Sequence, residues 1–309
     1  MNDLLKIAIA PLGSCSGCDV ALVDIGEAIL DLPKIASIVY WPTAADGKIE
    51  DLEGMDSIDV AIVHGMVGNS EQERVLRIIE SRAKYIVAFG TCAYIGGIFG
   101  LRNAIADAGK ILRTAYVETQ STENKKGVIP SITPPQYEVE MPEYYDFALP
   151  LRELCRVHVF VPGCPPVEEQ ILHLVSALKN LARTGNFLPE GTVIAGDKSV
   201  CTECPREKPE NVTIKRLIRR FELKEDNGKC FLVQGVLCMG PATRSGCDAR
   251  CIKANVPCRG CFGPPSDVKD QGAKMLSALA SSVYADEEKD VRKVPAGSRG
   301  VARDPYWKG

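Results

Sequence analysis

A chain of 309 residues with 13 cysteines is long enough to bury a core of its own and does not need its thiols as fold staples. Its 37 basic and 40 acidic side chains give a formal net charge of −3, which argues against a general nucleic-acid binder. No stretch approaches the ~20 apolar residues of a membrane span. Met1 to Lys6 shows neither a secretory pattern nor a twin-arginine pair, so a cytoplasmic location is expected, where a thiol-rich chain binds metal rather than forming disulfides.

Along residues 1–190 strands alternate with helices. The predicted strands are Lys6 to Ala10, Ser37 to Trp41, Asp59 to His64, Tyr85 to Phe89 and Val157 to Val161, mostly continuous apolar runs that suit a parallel sheet covered on both faces. Helical spacing is expected over Val20 to Leu30, over Ser70 to Ser81 with Ser70 as N-cap and Glu73 closing a capping box, and over Val167 to Arg183. Such alternation implies an α/β, doubly wound parallel-sheet domain.

In a sheet of that kind ligands sit outside the carboxyl ends of the strands. Cys15 and Cys18 ("CSGC") follow the first predicted strand, Cys92 ("FGTCAYIGG") the fourth and Cys164 ("FVPGCPP") the fifth. Four thiolates arriving from three loops match the ligand count of a [4Fe-4S] cluster, and the neighbouring glycines let backbone approach it. Any one of these cysteines alone could equally be a buried apolar residue.

Residues 111–156 are too proline-rich and aperiodic for a regular crossover, and are expected to form either an interface or a mobile loop. From Cys201 to Cys261 the texture changes to "CTEC", Cys230, "LCMGPATRSGCDARC" and "PCRGC", with many Gly and Pro. Stability there is expected from metal rather than from a hydrophobic core. A pair of zinc sites is an open alternative, since Cys204 and Cys258 each belong to a C-x2-C pair. "TIKRLIRRF", 213–221, reads as a solvated helix, and the tail from Asp286 has too little apolar content to fold alone.

These four cysteine blocks, in this order, resemble the small, electron-transferring subunit of [NiFe] hydrogenases over residues 5–265, and more closely that of the cytosolic methanogen-type enzymes that do not reduce the deazaflavin coenzyme and serve heterodisulfide reductase. The resemblance implies a flavodoxin-like domain (1–190), a smaller irregular iron–sulfur domain (191–265), and a C-terminal helix and extended tail (266–309). It implies three [4Fe-4S] clusters: a proximal one on Cys15, Cys18, Cys92 and Cys164, a distal one on Cys201, Cys204, Cys230 and Cys238, and a medial one on Cys247, Cys251, Cys258 and Cys261.

Cys201 stands where many relatives have a histidine, and Cys251 where some have a proline and a three-iron medial cluster. Ser14 stands where many have a glutamate. Cys155 is left over, and is read as a small buried residue.

Because nickel is held in such enzymes by two C-x2-C pairs of the large subunit, and no cysteine follows Cys261, the dihydrogen-splitting site is expected on a partner chain. The further partners implied are an iron–sulfur adaptor subunit and heterodisulfide reductase. Competing readings are the deazaflavin-coenzyme-reducing relative, a quinone-reducing or membrane-bound complex, against which the eight later cysteines count, and a zinc-stabilised interaction protein.

Overall fold

The computed structural model describes residues 4–45, 47–129, 141–210, 213–214 and 216–282. Its strands are β1 (Leu5–Pro11), β2 (Ala36–Tyr40), β3 (Ile58–His64), β4 (Val67–Asn69), β5 (Ala83–Phe89), β6 (Tyr144–Leu149), β7 (Val159–Val161) and β8 (Thr192–Val193). One parallel sheet runs in the order β2-β1-β3-β5-β7-β8, and β4 pairs antiparallel with β6 apart from it. The α/β parallel architecture read from the apolar runs is therefore present. Each predicted strand overlaps a strand of this sheet.

Alternation along each strand sorts side chains onto two faces. Ile7 and Ile9 of β1, Val60 and Ile62 of β3, and Val87 and Phe89 of β5 pack on one face with Ile171, Leu174 and Leu178 of the helix Glu168–Thr184. Ala8, Ala10, Ala61 and Ala88 point the other way, against Val75, Leu76 and Ile79 of the helix Ser70–Arg82. Since β1 has β2 on one side and β3 on the other, the winding reverses there, at the carboxyl ends of β1 and β3.

Several local expectations are corrected. The helix expected over Val20 to Leu30 is an α-helix over Gly17–Val23 followed by a 3-10 helix over Gly26–Asp31, because Gly26 at φ +59° interrupts the ladder between them. Asn69, not Ser70, caps the helix Ser70–Arg82, its side chain accepting from the Gln72 N–H at 2.9 Å. Glu73 instead accepts from the Tyr145 hydroxyl at 2.6 Å.

The 111–156 connection is partly regular: the helix Ala108–Arg113 runs on into one π-turn, Thr114–Glu118, and β6 pairs with β4. Residues 130–140, with most of its proline-rich stretch, lie outside the described residues.

The chain divides into two compact units, Met1–Ile194 and Ala195–Gly309. Among the described residues the second is built of turns, isolated bridges, short 3-10 helices and the α-helices Arg250–Lys253 and Gln271–Ala280. Contrary to expectation it has a hydrophobic core, in which Val200, Ile214, Phe231, Leu232, Val236, Ile252 and Met275 are buried. The helix expected over 213–221 is absent among the described residues. Ile214 and Ile218 donate their N–H groups to Ser282 and Gly235, and only a 3-10 turn forms at Arg220–Glu222. Those two apolar residues serve the core from an extended backbone. The tail from Asp286 lies outside the described residues.

Candidate metal centres

The loop after β1 is tied to the loop after β3 by Gly13 and Met66, which exchange backbone hydrogen bonds at 2.8 and 3.0 Å. It then turns through Ser16 at φ +60° into the helix Gly17–Val23, which begins next to Cys18. The loops after β5 and β7 are joined in the same way: Gly90 N–H donates to Val161 O at 2.7 Å and Thr91 N–H to Gly163 O at 2.8 Å. The Cys18 thiol reaches Phe89 O at 3.8 Å, so the first loop meets the end of β5, and Cys15, Cys92 and Cys164 are neighbours of that thiol.

Burial, then the neighbouring Cys92, Cys15 and Cys164, push the Cys18 thiol up to about 12. Burial and then Cys164 raise Cys92 as well. A metal binding there would have to displace these protons. A Cβ at Gly90 would stand 2.5 Å from Cys18 Sγ, so the backbone closes on the thiols as far as a glycine permits. The donor set and this cradle fit an iron–sulfur cluster.

In the second unit, Cys201 in the turn Val200–Thr202 is raised to about 11 by burial, opposed by Lys208 and reinforced by Cys230 and Cys204. Cys238, buried and pushed up to about 12 mainly by burial, accepts from the Cys258 N–H at 3.3 Å and also neighbours Cys201. Cys247, Cys251 and Cys258 are mutual neighbours, with burial the main cause raising Cys247 and Cys258. Cys261, half-buried, follows Gly260. The Cys238–Cys258 hydrogen bond therefore joins the two expected sets.

Cys155 stands apart, packed against the core on the side of the helix Ser70–Arg82, and is raised to about 11 chiefly by burial. No disulfide joins any of the described cysteines. Among the described residues no group of three or more His, Cys, Asp or Glu is placed to hold a single metal ion.

Sequence reasoning missed a buried polar network under the first quartet. Asp19 Oδ1 accepts from Trp41 Nε1 at 2.8 Å and lies 3.0 Å from His64 Nε2, while His64 Nδ1 is 3.1 Å from Ser14 Oγ. Burial pushes the Asp19 carboxyl up, but the His64 and Trp41 hydrogen bonds outweigh it and hold it below the ordinary value. The available signal was a histidine closing an otherwise apolar strand, "DVAIVH". No helix among the described residues is long and apolar enough to cross a membrane.

Residues 15–178 match the model of the family described as NADH ubiquinone oxidoreductase, 20 Kd subunit. The iron-sulfur subunit of the F420-non-reducing hydrogenase of Archaeoglobus profundus is 39% identical over 296 residues, covering 92% of this chain and 89% of that protein. The corresponding subunit of the F420-non-reducing hydrogenase of Methanothermobacter thermautotrophicus is 38% identical over 293 residues, covering 94% and 89%. Among solved structures, an NAD+-reducing [NiFe]-hydrogenase in the H2-reduced state superposes with a TM-score of 0.51 at 27% identity, over 61% of this chain and 95% of that one. The sheet, the thiols at its strand ends and these relatives agree: the chain belongs to the NADH ubiquinone oxidoreductase 20 Kd subunit family, as a hydrogenase small subunit of the [NiFe] type that works beside a catalytic large subunit.

Proposed function

We propose that this chain is the electron-conducting subunit of a cytoplasmic [NiFe] hydrogenase, holding three [4Fe-4S] clusters and conducting electrons from dihydrogen oxidation on the large subunit to heterodisulfide reductase through an iron–sulfur adaptor subunit. The observation that carries the reading is the convergence of Cys15, Cys18, Cys92 and Cys164 from the carboxyl ends of β1, β5 and β7. These four would hold the proximal cluster. Cys201, Cys204, Cys230 and Cys238 would hold the distal one, and Cys247, Cys251, Cys258 and Cys261 the medial one. Residues 1–190 would then form the first domain, 191–265 the second, and 266–309 a terminal helix and tail.

Bound there, the clusters supply reversible one-electron chemistry. The chain's own part is to hold the thiolates, to shield them by burying Cys18 and Cys92, and to fix the first loop through the Asp19–His64 network. That the two archaeal relatives belong to hydrogenases named F420-non-reducing supports this acceptor class over the deazaflavin coenzyme.

The test is Cys92→Ser in the anaerobically purified complex. Iron content should fall by one cluster and dihydrogen-dependent dye reduction should be lost, while the remaining paramagnetic signals persist. Unchanged dye reduction would sink the proximal assignment.

A further inference from the structure

Arg206 lies two residues after Cys204, in a segment whose backbone pairs with the residues leading into Cys230: Glu207 N–H donates to Gly228 O, and Cys230 N–H to Glu207 O at 2.8 Å. Its side chain is 10% exposed and its guanidinium stacks on Phe231, with Cζ 3.6 Å from the ring centroid. The Nη hydrogens are all committed. Nη1 donates to Asp226 Oδ1 at 2.8 Å and to Lys229 O at 2.9 Å, and Nη2 to Asp226 Oδ2 at 2.7 Å and to Asn255 Oδ1. The remaining donor, the buried Nε–H, has no acceptor among the described residues.

A buried, unpartnered donor on a fixed cation calls for an acceptor, and an anion serves best. The cysteines beside this guanidinium are Cys204 and Cys230, two of the four assigned to one centre.

We propose that Arg206 is a potential-setting residue for the centre held by Cys201, Cys204, Cys230 and Cys238, with its Nε–H serving that anionic centre and Asp226 partly offsetting its charge. The inference rests on the ligand assignment above. A fixed cation favours the reduced, more negative form of the centre, so Arg206 raises its reduction potential and Asp226 lowers it. Phe231 and the bidentate carboxylate hold the guanidinium in one orientation, which a lysine could not copy.

The test compares reductive titrations of the purified complex, followed by paramagnetic resonance, in Arg206→Gln and Asp226→Asn. The signal abolished by Cys204→Ser identifies the centre. Arg206→Gln should shift its reduction equilibrium toward the oxidised form by about tenfold, about 59 mV for one electron, and Asp226→Asn should shift it the opposite way. Opposite signs at full iron content separate an electrostatic role from a structural one, which would disturb both variants alike. If Arg206→Gln loses iron, Asp226→Asn decides: a raised potential supports the proposal, and an unchanged or lowered one overturns it. Two variants with unchanged potentials, or with shifts of one sign, overturn this inference alone. No signal lost in Cys204→Ser overturns the ligand assignment and this inference with it.

Discussion

His64 and Asp19 meet in the interior at 3.0 Å, with side chains 0% and 5% exposed, and together they join the end of β3 to the first helix turn behind Cys18. Trp41 closes the group from the residue after β2. Asp19→Ala would leave the Trp41 and His64 ring nitrogens buried without their shared acceptor, at a cost of roughly 3 kcal/mol. Urea unfolding of the anaerobically prepared chain should show the loss. An unchanged midpoint would mean that the network is not a structural tie.

Gly90 at φ +86° places no atom where a Cβ would meet Cys18 Sγ at 2.5 Å. Gly90→Ala should therefore expel one cluster, about four iron atoms per chain, while far-ultraviolet circular dichroism stays close to that of the parent. Retention of full iron would show that the quartet tolerates more room than the geometry allows.

Cys251 is the second residue of the helix Arg250–Lys253, where a backbone N–H is not needed by the helical ladder and a proline fits. Its carbonyl, which accepts from Val256 N–H at 2.8 Å, is unaffected by the change. Cys251→Pro should convert the medial centre to a three-iron form, with a new resonance in the oxidised protein and a raised medial potential. Full iron content without that signal would remove Cys251 from the ligand set.

Tyr145 donates to Glu73 at 2.6 Å, and this bond pushes the phenol up to about 12 and lowers the carboxyl. Because the folded state holds the phenolic proton more tightly, the pair's contribution is complete below the ordinary tyrosine value and is lost as pH rises through about 12. The lowered Glu73 gives the mirror case: its share is present above the ordinary carboxylate value and is lost in acid. Tyr145→Phe should flatten both limbs of a melting-temperature profile against pH. Superimposable profiles would refute it.

Legibility in the sequence followed the kind of force at work. Five of the six strands of the parallel sheet announced themselves because burial on both faces demands runs such as Ile7 to Ala10, whereas the two-residue β8 is too short to leave a pattern. Four thiols at strand ends were visible for the same reason, since once the strands are located their ends are too. The Asp19–His64 pair was not, because it depends on a helix turn and a strand end meeting in space: the histidine closing an apolar strand was a local signal, but nothing near it in sequence names its partner. The core of the second unit escaped for a related reason: Val200, Ile214, Phe231 and Met275 are gathered from distant turns and follow no period. The strand β6 was hidden because it pairs only with the three-residue β4.

The joining of loops that leave β1, β5 and β7 has a temporal consequence. The partners of Cys15 and Cys18 emerge from the ribosome much later than they do, and Cys164 becomes available only after most of the sheet has been synthesised. Pairing β5 with β7 closes a long stretch of chain before it is rewarded by contacts, the circumstance that makes parallel sheets slow to form. During that interval Cys15 and Cys18 are a bare dithiol on a nascent chain, open to stray metal and oxidant. On the proposed ligand assignment, iron would reach the first quartet only after synthesis of the sheet, and the chain would need shielding from oxidant during its making as well as during its work.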